Sequence, residues 1–428
     1  MKRAFASTSV RLWATLCLSV CGAGCSDKDS DGDAPEETDT RAVLDGEIDV
    51  LTWWVSPGEV EALQALVDVF NSQYTGLDLI NIVSIEGGVD AFEVEVSRRF
   101  NEGNPPVLIQ ALPMQYPNLT NNEKISSLDK LYKSQDWRNA FPQEILDEVK
   151  EDDTTYGVPV GIHRTNTLFF NPLIVENPPE TLEDLIALAE SLRTRGIRPI
   201  AVDNENGHEY ILEAAFAAST GVDFYSRFMA GQIDVDDEDN VSKISAALDD
   251  TKRLMDATDW EETIDLEWTE AAESLFNGDT AMYVNGDWVR SYLVSLGATP
   301  GIDFQAMATP GTRKMFQFSL DTFVLSKETA FKENGIEFLK VMGSREGEAA
   351  FCKLKGATPL LDGVATDGWD DVAIETYEDY RNAKYLVSAG TPEYAIDGFS
   401  NVIMGYIDGS TTKEQTIANI QNTYKIAP

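Results

Sequence analysis

Short apolar runs alternate with stretches of helical hydrophobic spacing over the first third of the chain. Apolar runs at 48–52, 77–85 and 107–112 predict buried strands, and apolar residues three or four apart at 60–74 and 92–100 predict helices between them. This strand–helix–strand–helix–strand order predicts an α/β fold with a parallel sheet that carries helices on both faces.

A second series of alternating elements follows an extended segment at 156–163. Glycine and proline interrupt that segment, which predicts a crossing from one lobe into another. Beyond it, Thr181 opens a predicted helix at 182–192, and strands are predicted at 199–202 and 280–285. The chain has 428 residues, which is enough for two to three domains and agrees with two such series.

The first 24 residues predict a signal peptide. Basic residues open the chain, and the apolar run at 12–21 is too short to span a membrane as a mature helix. Three small residues then precede Cys25, an arrangement that resembles the lipobox of bacterial lipoproteins and predicts lipidation of this cysteine. Gly22 stands where a leucine is usual, so Cys21 is the alternative lipidation site.

Residues 25–44 predict a flexible tether behind the lipidated cysteine. The stretch 26–40 carries seven acidic residues and no large apolar one, so it has nothing to bury in a core. An Asp-x-Asp-x-Asp-Gly motif at 27–32 matches the opening of a calcium-binding EF loop, but its twelfth position is Thr38 in place of glutamate. We therefore interpret the stretch as a solvated linker and predict no metal site.

Acidic residues outnumber basic ones, with 73 Asp and Glu against 33 Lys and Arg, and the net charge is −40. A charge of this sign argues against nucleic acid and against anionic membrane surfaces as partners. After processing at Cys25 the other cysteine is Cys352, so we predict no disulfide framework. Cys352 is interpreted as a buried small apolar residue.

Two adjacent tryptophans, Trp53 and Trp54, follow the first predicted strand. Because neighbouring strand residues point to opposite faces, at most one of them belongs to the layer packed beneath the strand. Ligands of open α/β sheets bind at the carboxyl ends of the strands, so the other ring is a candidate surface for stacking on a sugar. Taken alone, this stretch fits core packing of both rings better.

Polar residues within or beside apolar runs are further candidates, each with a structural alternative. Gln110 lies in a predicted strand and either is hydrogen-bonded structurally or faces a ligand, since a buried unpaired amide is costly. The chain has two histidines, His163 and His208, which leave little material for a histidine metal site or a Ser-His triad. Without further context, His163 fits a hydrogen-bonded core or hinge residue.

Several motifs, taken together, match one known family. They are Thr52-Trp53-Trp54, Gly103-Asn104-Pro105-Pro106 with Gln110, the segment 156–166, Asn277-Gly278-Asp279-Thr280-Ala281-Met282, Asn285-Gly286-Asp287-Trp288, Leu320-Asp321-Thr322-Phe323 and Lys353-Leu354-Lys355-Gly356. With these motifs the chain resembles the extracellular solute-binding proteins, family 1, that feed ABC sugar importers, and it looks most like the glucose- and mannose-binding branch. The resemblance runs from about residue 46 to the C-terminus.

The resemblance implies an α/β, two-lobed periplasmic binding protein fold (type II-like), whose hinge lets the lobes close on a ligand. The implied first lobe comprises residues 45–156 and 312–358, and the second comprises 157–311 and 359–428. The resemblance also implies a monomeric receptor that performs no chemistry and needs no cofactor. Such a receptor passes a sugar to the permease subunits of an ABC importer, here from a lipid anchor in the periplasm or cell envelope.

The resemblance further implies a set of ligand-binding residues between the lobes. Its aromatic members would cover the apolar faces of a pyranose, and its polar members would bond the hydroxyls. They are Trp53, Trp54, Glu59, Gln110, His163, Asn166, Trp268, Asp287, Trp288, Asp321 and Lys355. Leu112 and Ser388 stand where glucose-type relatives carry histidines, which leaves the identity of the sugar open.

Other interpretations of these residues remain open at this stage. Asp287 is as well placed to cap a helix, and the tryptophans of the second lobe fit core packing. Asp321 and Lys355 fit a surface or inter-lobe salt bridge. A glycoside hydrolase that uses Glu59 and Asp321 as its two carboxylates is the alternative from another functional class. A receptor for a non-sugar solute on the same fold is the third.

Overall fold

The computed structural model describes residues 39–86, 88–205, 207–390 and 398–424. The predicted signal peptide, Cys25 and most of the predicted tether lie outside these residues. Among the residues that are described, no helix combines the length and the apolar character needed to cross a membrane.

The strands of the described residues are short, and most of them belong to three sheets. In chain order the strands are β1 Ala42–Val43, β2 Glu47–Thr52, β3 Tyr74–Thr75, β4 Leu79–Ser84, β5 Leu108–Ala111, β6 Lys150–Glu151, β7 Thr154–Thr155, β8 Gly157–Pro159, β9 His163–Arg164, β10 Thr167–Phe170, β11 Arg198–Ala201, β12 Thr280–Asn285, β13 Gln305–Ala308, β14 Met315–Ser319, β15 Thr322–Leu325 and β16 Tyr385–Ser388.

Helices cover the faces of the sheets and, in chain order, have the following bounds. They are α1 Pro57–Gln73, α2 Gly88–Asn101, α3 Tyr116–Asn121, α4 Asp129–Gln135, α5 Trp137–Ala140, α6 Gln143–Glu148, α7 Leu182–Thr194, α8 Gly207–Thr220, α9 Val222–Met229, α10 Glu238–Thr258, α11 Trp268–Asn277, α12 Trp288–Ser295, α13 Lys332–Met342, α14 Arg345–Lys355, α15 Asp371–Asn382, α16 Phe399–Ile407 and α17 Lys413–Thr423. Short 3₁₀ turns lie at Pro113–Gln115 and Trp260–Glu262.

Helix α1 shows how local sequence sets these bounds. A proline occupies its first position, where a backbone N–H is not needed, and the Glu59 carboxylate accepts a hydrogen bond from the backbone N–H of Ser56 at 3.1 Å. Ala62, Leu63 and Leu66 recur at helical spacing and are buried. This apolar stripe packs α1 into the core beneath the first sheet.

The first sheet has five strands in the order β4–β2–β5–β15–β8. β2 pairs in parallel with β4 and β5, whereas β15 runs antiparallel to β5 and β8. The carboxyl ends of β2, β5 and β8 therefore lie at one edge of the sheet, together with Thr322, the first residue of β15. Trp53 and Asp321 are the next residues beyond that edge.

The second sheet has four strands in the order β11–β12–β10–β13. β11 and β12 are parallel, and β10 is antiparallel to both of its neighbours. Thr167 at the start of β10 pairs with Asn285 and with Ala308, which end β12 and β13. The chain thus enters this sheet at the edge that holds the carboxyl ends of the other strands, and this edge faces the first lobe.

A small third sheet joins the two larger ones. It contains β16, β14 and β9, with β14 parallel to β16 and antiparallel to β9. We call these three strands the hinge sheet, because β9 and β14 lie on the segments 160–166 and 309–321, which connect the first and second sheets.

Separate hydrophobic cores support the two larger sheets. One core is formed by β2, β5, β8 and β15 with helices α1, α13 and α14, and the other is formed by β10, β11 and β12 with helices α7, α8 and α10. Cys352 is fully buried in the first core, as predicted, and burial raises the pKa of its thiol well above its ordinary value. The two cores confirm the predicted two-lobed α/β fold.

The structure differs from the predicted boundaries in two places. Ala42–Val43, at the end of the predicted tether, pairs in parallel with Tyr74–Thr75, so this part of the tether is a strand. Within 360–380, which we assigned to the second lobe, Leu360 and Trp369 are buried in the first core, because the chain turns back onto α14 after the hinge. The other predicted boundaries stay predictions.

Candidate ligand-binding site between the lobes

The tryptophan pair lies at the carboxyl edge of the first sheet, and its two rings differ in exposure. Trp54 is 2 % exposed, with its ring centroid 5.7 Å from Phe323 and 5.3 Å from Phe351. Trp53 is half-buried and meets Phe92 edge to face at 5.0 Å. The alternation of the strand thus sends one ring into the core and leaves the other partly open.

Gln110 is fully buried, and its amide is hydrogen-bonded within the protein. Its carbonyl oxygen accepts from the Thr52 hydroxyl and, at 3.2 Å, from the backbone N–H of Trp53. Its Nε2 donates to Oδ1 of Asp321 at 2.8 Å. Of the two predicted alternatives the structure supports the structural one, in which Gln110 orients the more exposed Asp321.

His163 lies between two carboxylates, one from each side of the hinge. Its Nδ1 is 2.5 Å from Oδ1 of Asp287, and its Nε2 is 3.7 Å from Oδ2 of Asp321. The other oxygen of Asp287 accepts from the backbone N–H of Arg164 at 2.9 Å. Asp287 precedes α12, but its carboxylate does not cap that helix. The cap alternative is therefore wrong, because the side chain is used by β9.

Lys355 ends α14 and reaches Trp288 at the start of α12 in the second lobe. Its ammonium is 2.9 Å from Oε1 of Glu59, and its Nζ lies 5.0 Å from the ring centroid of Trp54 and 5.8 Å from that of Trp288. Lys355 is 2 % exposed. The salt bridge expected from sequence was a surface or inter-lobe one, whereas this bridge is buried and joins two residues of the first lobe.

Trp288 and Tyr210 form the aromatic part of the second lobe's edge. Trp288 is half-buried, and its ring meets those of His163 at 5.4 Å and Tyr210 at 6.0 Å. Burial, followed by the carboxylates of Glu209, Glu213, Asp203 and Asp321, raises the pKa of Tyr210 well above its ordinary value. Sequence reasoning missed Tyr210, although its place at the start of a helix behind a predicted strand was a usable signal.

The buried carboxylate of Asp203 supports the same edge of the second sheet, and the sequence interpretation did not identify it. Oδ2 of Asp203 accepts from the Tyr283 hydroxyl at 2.6 Å and from Asn285 Nδ2 at 2.9 Å. Oδ1 of Asp203 accepts from the backbone N–H of Gly207 at 3.1 Å, where a Cβ would lie 2.0 Å from Oδ2. This group fixes the ends of β11 and β12 relative to the start of α8.

Two predicted site residues lie apart from this group. Asn166 is fully buried in the hinge, where its Nδ2 donates to Thr312 Oγ1 at 2.8 Å and its Oδ1 accepts from the backbone N–H of Gln317 at 3.2 Å. We therefore correct its predicted sugar contact to a structural one. Trp268 begins α11 and packs its ring on Tyr292 at 5.2 Å, in agreement with the core-packing alternative.

A cavity of about 600 Å³ lies elsewhere on the second lobe, near the start of β11 and the end of α11. Its lining includes Arg193, Arg198, Asp259 and Glu262, and contains none of the predicted ligand-binding residues. These four side chains pair with one another as Arg193–Asp259 at 2.7 Å and Arg198–Glu262 at 3.1 Å. The cavity plays no part in the site between the lobes.

The fold and this site define a two-lobed binding protein, with aromatic and polar side chains from facing sheet edges gathered at a hinge. A sequence model of the family of bacterial extracellular solute-binding proteins matches residues 65–379. The chain belongs to that family. Its members are receptors for solutes and not enzymes, so the alternative of a glycoside hydrolase built on Glu59 and Asp321 is wrong.

Similar proteins agree with this assignment. An "uncharacterized ABC transporter extracellular-binding protein" of Pyrococcus horikoshii is 25 % identical over 374 residues, which cover 85 % of this chain and 82 % of the relative. A "probable sugar-binding periplasmic protein" of Brucella suis is 27 % identical over 353 residues, covering 78 % and 80 %.

A solved structure shows the same fold. The bacterial solute receptor AcbH, described as exclusive for β-D-galactopyranose, superposes with a TM-score of 0.68 at 18 % identity and covers 89 % of this chain and 97 % of its own. At this identity the likeness establishes the two-lobed architecture and leaves the ligand of this chain to be argued from its own residues.

Proposed function

We propose that this protein is the receptor of an ABC sugar importer and binds a monosaccharide, glucose-like in its pattern of hydroxyls, or a short oligosaccharide between its lobes. It then hands the sugar to the permease subunits of the importer. Several relatives carry names that describe sugar-binding periplasmic proteins, and their names support the same class of ligand for this chain.

The observation that carries the proposal is the mixture of groups at the two facing edges. The half-buried rings of Trp53 and Trp288 offer apolar faces, one from each lobe. Asp321 and the Tyr210 hydroxyl offer an acceptor and a donor beside those rings. A pyranose has apolar C–H faces and a rim of hydroxyls, so it matches this mixture better than a purely charged or purely apolar solute does.

A thermal-shift screen against mono- and disaccharides, followed by calorimetric titration of each hit, tests the proposal. A ligand that binds the folded form raises the melting temperature, so at least one sugar should do so. Trp53→Ala and Asp321→Asn should each weaken its binding at least tenfold. Phe276→Ala and Asp78→Asn, which change an exposed ring and an exposed carboxylate elsewhere, should leave the affinity unchanged.

The outcome that contradicts the proposal is equally specific. If sugars leave the melting temperature unchanged while amino acids, peptides or polyamines raise it, the protein is a receptor for a non-sugar solute.

We further propose that Cys25 is lipidated and tethers the receptor to a membrane of the cell envelope. The small residues before Cys25 and the acidic stretch behind it support this proposal. In cells fed a labelled fatty acid, the wild-type protein should carry label and sediment with membranes, and Cys25→Ala should do neither. Cys21→Ala is the matched control and should behave like the wild type; loss of label in that variant instead would move the site to Cys21.

A further inference from the structure

Lys355 connects aromatic rings that belong to different lobes. Its side chain extends from the last residue of α14 in the first lobe, and its Nζ lies 5.0 Å from the ring centroid of Trp54 in the same lobe. The same Nζ lies 5.8 Å from the ring centroid of Trp288, the first residue of α12 in the second lobe. Both distances are within the range at which an ammonium is attracted to the face of an indole.

The ammonium is held in this position by a buried ion pair. Glu59 accepts from it through Oε1 at 2.9 Å, while Oε2 of Glu59 accepts from the backbone N–H of Ser56 at 3.1 Å. Lys355 and Glu59 are 2 % and 8 % exposed. A buried charge without a partner is unfavourable. Moving the ammonium away from the Glu59 carboxylate and the two rings would therefore cost free energy.

The backbone around Lys355 is built for close approach of the two lobes. Gly356 has φ +88°, and a Cβ at that position would lie 2.6 Å from the carbonyl oxygen of Asp287. In the first turn of α12, Arg290 donates from Nη1 to the carbonyl oxygen of Lys353 at 3.2 Å. The end of α14 and the start of α12 therefore meet at a point where glycine is required twice over, by backbone angle and by space.

Trp54 has almost no surface left for a ligand. Phe323 and Phe351 pack against its ring, Lys355 lies over it, and 2 % of the residue is exposed. A pyranose could stack on this ring only by displacing an ammonium that is already paired. The exposed fraction thus separates Trp54 from its half-buried neighbour Trp53, although the two are adjacent in sequence.

We propose that Trp54, Lys355 and Trp288 form a cation–π clamp between the lobes, and that Trp54 is a positioning residue that acts on the sugar through Lys355. The clamp favours the closed arrangement, in which Trp288 faces the first lobe. Its effect on sugar affinity rests on the proposed function, whereas its effect on the arrangement of the lobes does not.

The first test is a double-mutant cycle on affinity for the sugar found by the thermal-shift screen. Trp54→Leu should weaken binding about tenfold, as expected for loss of one desolvated cation–π contact, and Lys355→Met, which removes the contacts to Trp54 and to Trp288, should weaken it at least as much. The double variant should be no weaker than Lys355→Met, because that change already removes the contact made by Trp54. Lys355→Arg should retain most of the affinity, since a guanidinium also binds aromatic faces. Lys353→Met is the matched control and should bind like the wild type.

The second test needs no sugar. Small-angle scattering of the ligand-free protein should give a larger radius of gyration for Lys355→Met than for the wild type and for Lys353→Met. Because Lys355→Met leaves Glu59 without its partner, the variant Glu59→Gln/Lys355→Met repeats the measurement without a buried unpaired charge. It should show the same expansion.

The outcomes separate the clamp from the proposed function. If the losses of affinity add in the double variant, both residues touch the sugar independently and the clamp is overturned. An unchanged radius of gyration in both Lys355 variants also overturns the clamp. If no sugar binds the wild type but the Lys355 variants expand, the sugar proposal fails and the clamp stands.

Discussion

At the scale of single residues, the site is a connected series of hydrogen bonds in which buried groups orient the partly exposed Asp321. Thr52 and the backbone of Trp53 bond Gln110, Gln110 bonds Asp321, and Asp321 faces His163. Each buried member is satisfied by the next, as polar groups in a low-dielectric interior must be. From the sequence alone, Gln110 could have had either a structural or a ligand-binding role. Its partner Asp321 is 211 positions further along the chain, so no local pattern linked the two residues.

Tyr210 provides a residue-scale prediction, because no described residue hydrogen-bonds its hydroxyl. Tyr210→Phe should lower sugar affinity up to about tenfold, the usual net worth of one hydrogen bond, while the free energy of unfolding stays within about 0.5 kcal/mol. Calorimetric titration and urea unfolding measure the two quantities.

The matched control for Tyr210 is Tyr74→Phe, which removes a hydroxyl that donates to Glu337 at 2.7 Å on the first lobe. That variant should lose a little stability and no affinity, the reverse pattern. Equal affinities for Tyr210→Phe and the wild type would remove Tyr210 from the site.

At the scale of elements, periodicity predicted the long helices and buried strands and failed on short or locally ambiguous ones. Strand β2 and helix α1 follow from unbroken apolar patterns that local packing alone can satisfy. β9 and β16 have two and four residues, and both pair with β14, which lies far from each of them along the chain. No local pattern specifies such a strand, so the hinge sheet emerged only from the structure.

The junction between α14 and α12 gives a prediction at this scale. Gly356→Ala places a Cβ against the Asp287 carbonyl in a left-handed backbone conformation, so we expect a loss of about 2–4 kcal/mol in unfolding free energy together with weaker sugar binding. Gly409 also has positive φ, +78°, but nothing lies within 4 Å of its Cβ position.

The control Gly409→Ala should therefore lose about 1 kcal/mol and keep its affinity. Urea unfolding and titration of both variants test the pair. Equal losses of stability in the two variants would mean that the lobes do not meet at Gly356.

Helix α14 also carries a pH-dependent contact. Glu348 is fully buried and accepts from the backbone N–H groups of Leu360 and Leu361 at 3.0 and 2.9 Å. Burial outweighs these hydrogen bonds and raises its pKa from 4.5 to about 7. A raised pKa means that folding favours the protonated form, so this stabilisation is complete below pH 4.5 and is lost as pH rises to about 7.

We expect this residue to remove about 3 kcal/mol of stability over that pH interval. Glu348→Gln cannot titrate and should flatten the dependence, although one of its two backbone contacts is lost and stability falls at every pH. Urea unfolding at pH 5 and pH 7.5 measures the slope. Glu346→Gln, on the exposed side of α14, should keep the slope of the wild type; a wild-type slope in Glu348→Gln would contradict the assignment.

At the scale of the whole molecule, the site exists because the chain crosses between lobes more than once. The segments 160–166 and 309–321 connect the sheets, and the bridge between Ile162 and Thr358 brings the end of α14 beside them. Family resemblance identified many residues of this region, but it could not distinguish the half-buried Trp53 from the buried Trp54. That distinction depends on Phe351 and Lys355, which lie about 300 positions further along the chain.

The net charge of −40 leads to the last prediction, which concerns stability. Repulsion among so many carboxylates destabilises the compact state more than the expanded one, and mobile ions screen it over a Debye length that falls from about 30 Å at 0.01 M salt to about 3 Å at 1 M. The exposed ion pairs are screened as well, but each contributes little. We therefore expect the melting temperature to rise steeply between 0.01 and about 0.3 M NaCl and more slowly beyond, by about 2–4 °C for each kcal/mol of relieved repulsion.

Sucrose at matched osmolality controls for exclusion from the protein surface and should give no such steep early rise. A melting temperature that is flat or falls over the low-salt range would show that the carboxylates are arranged so that their repulsion is already balanced by the basic side chains among them.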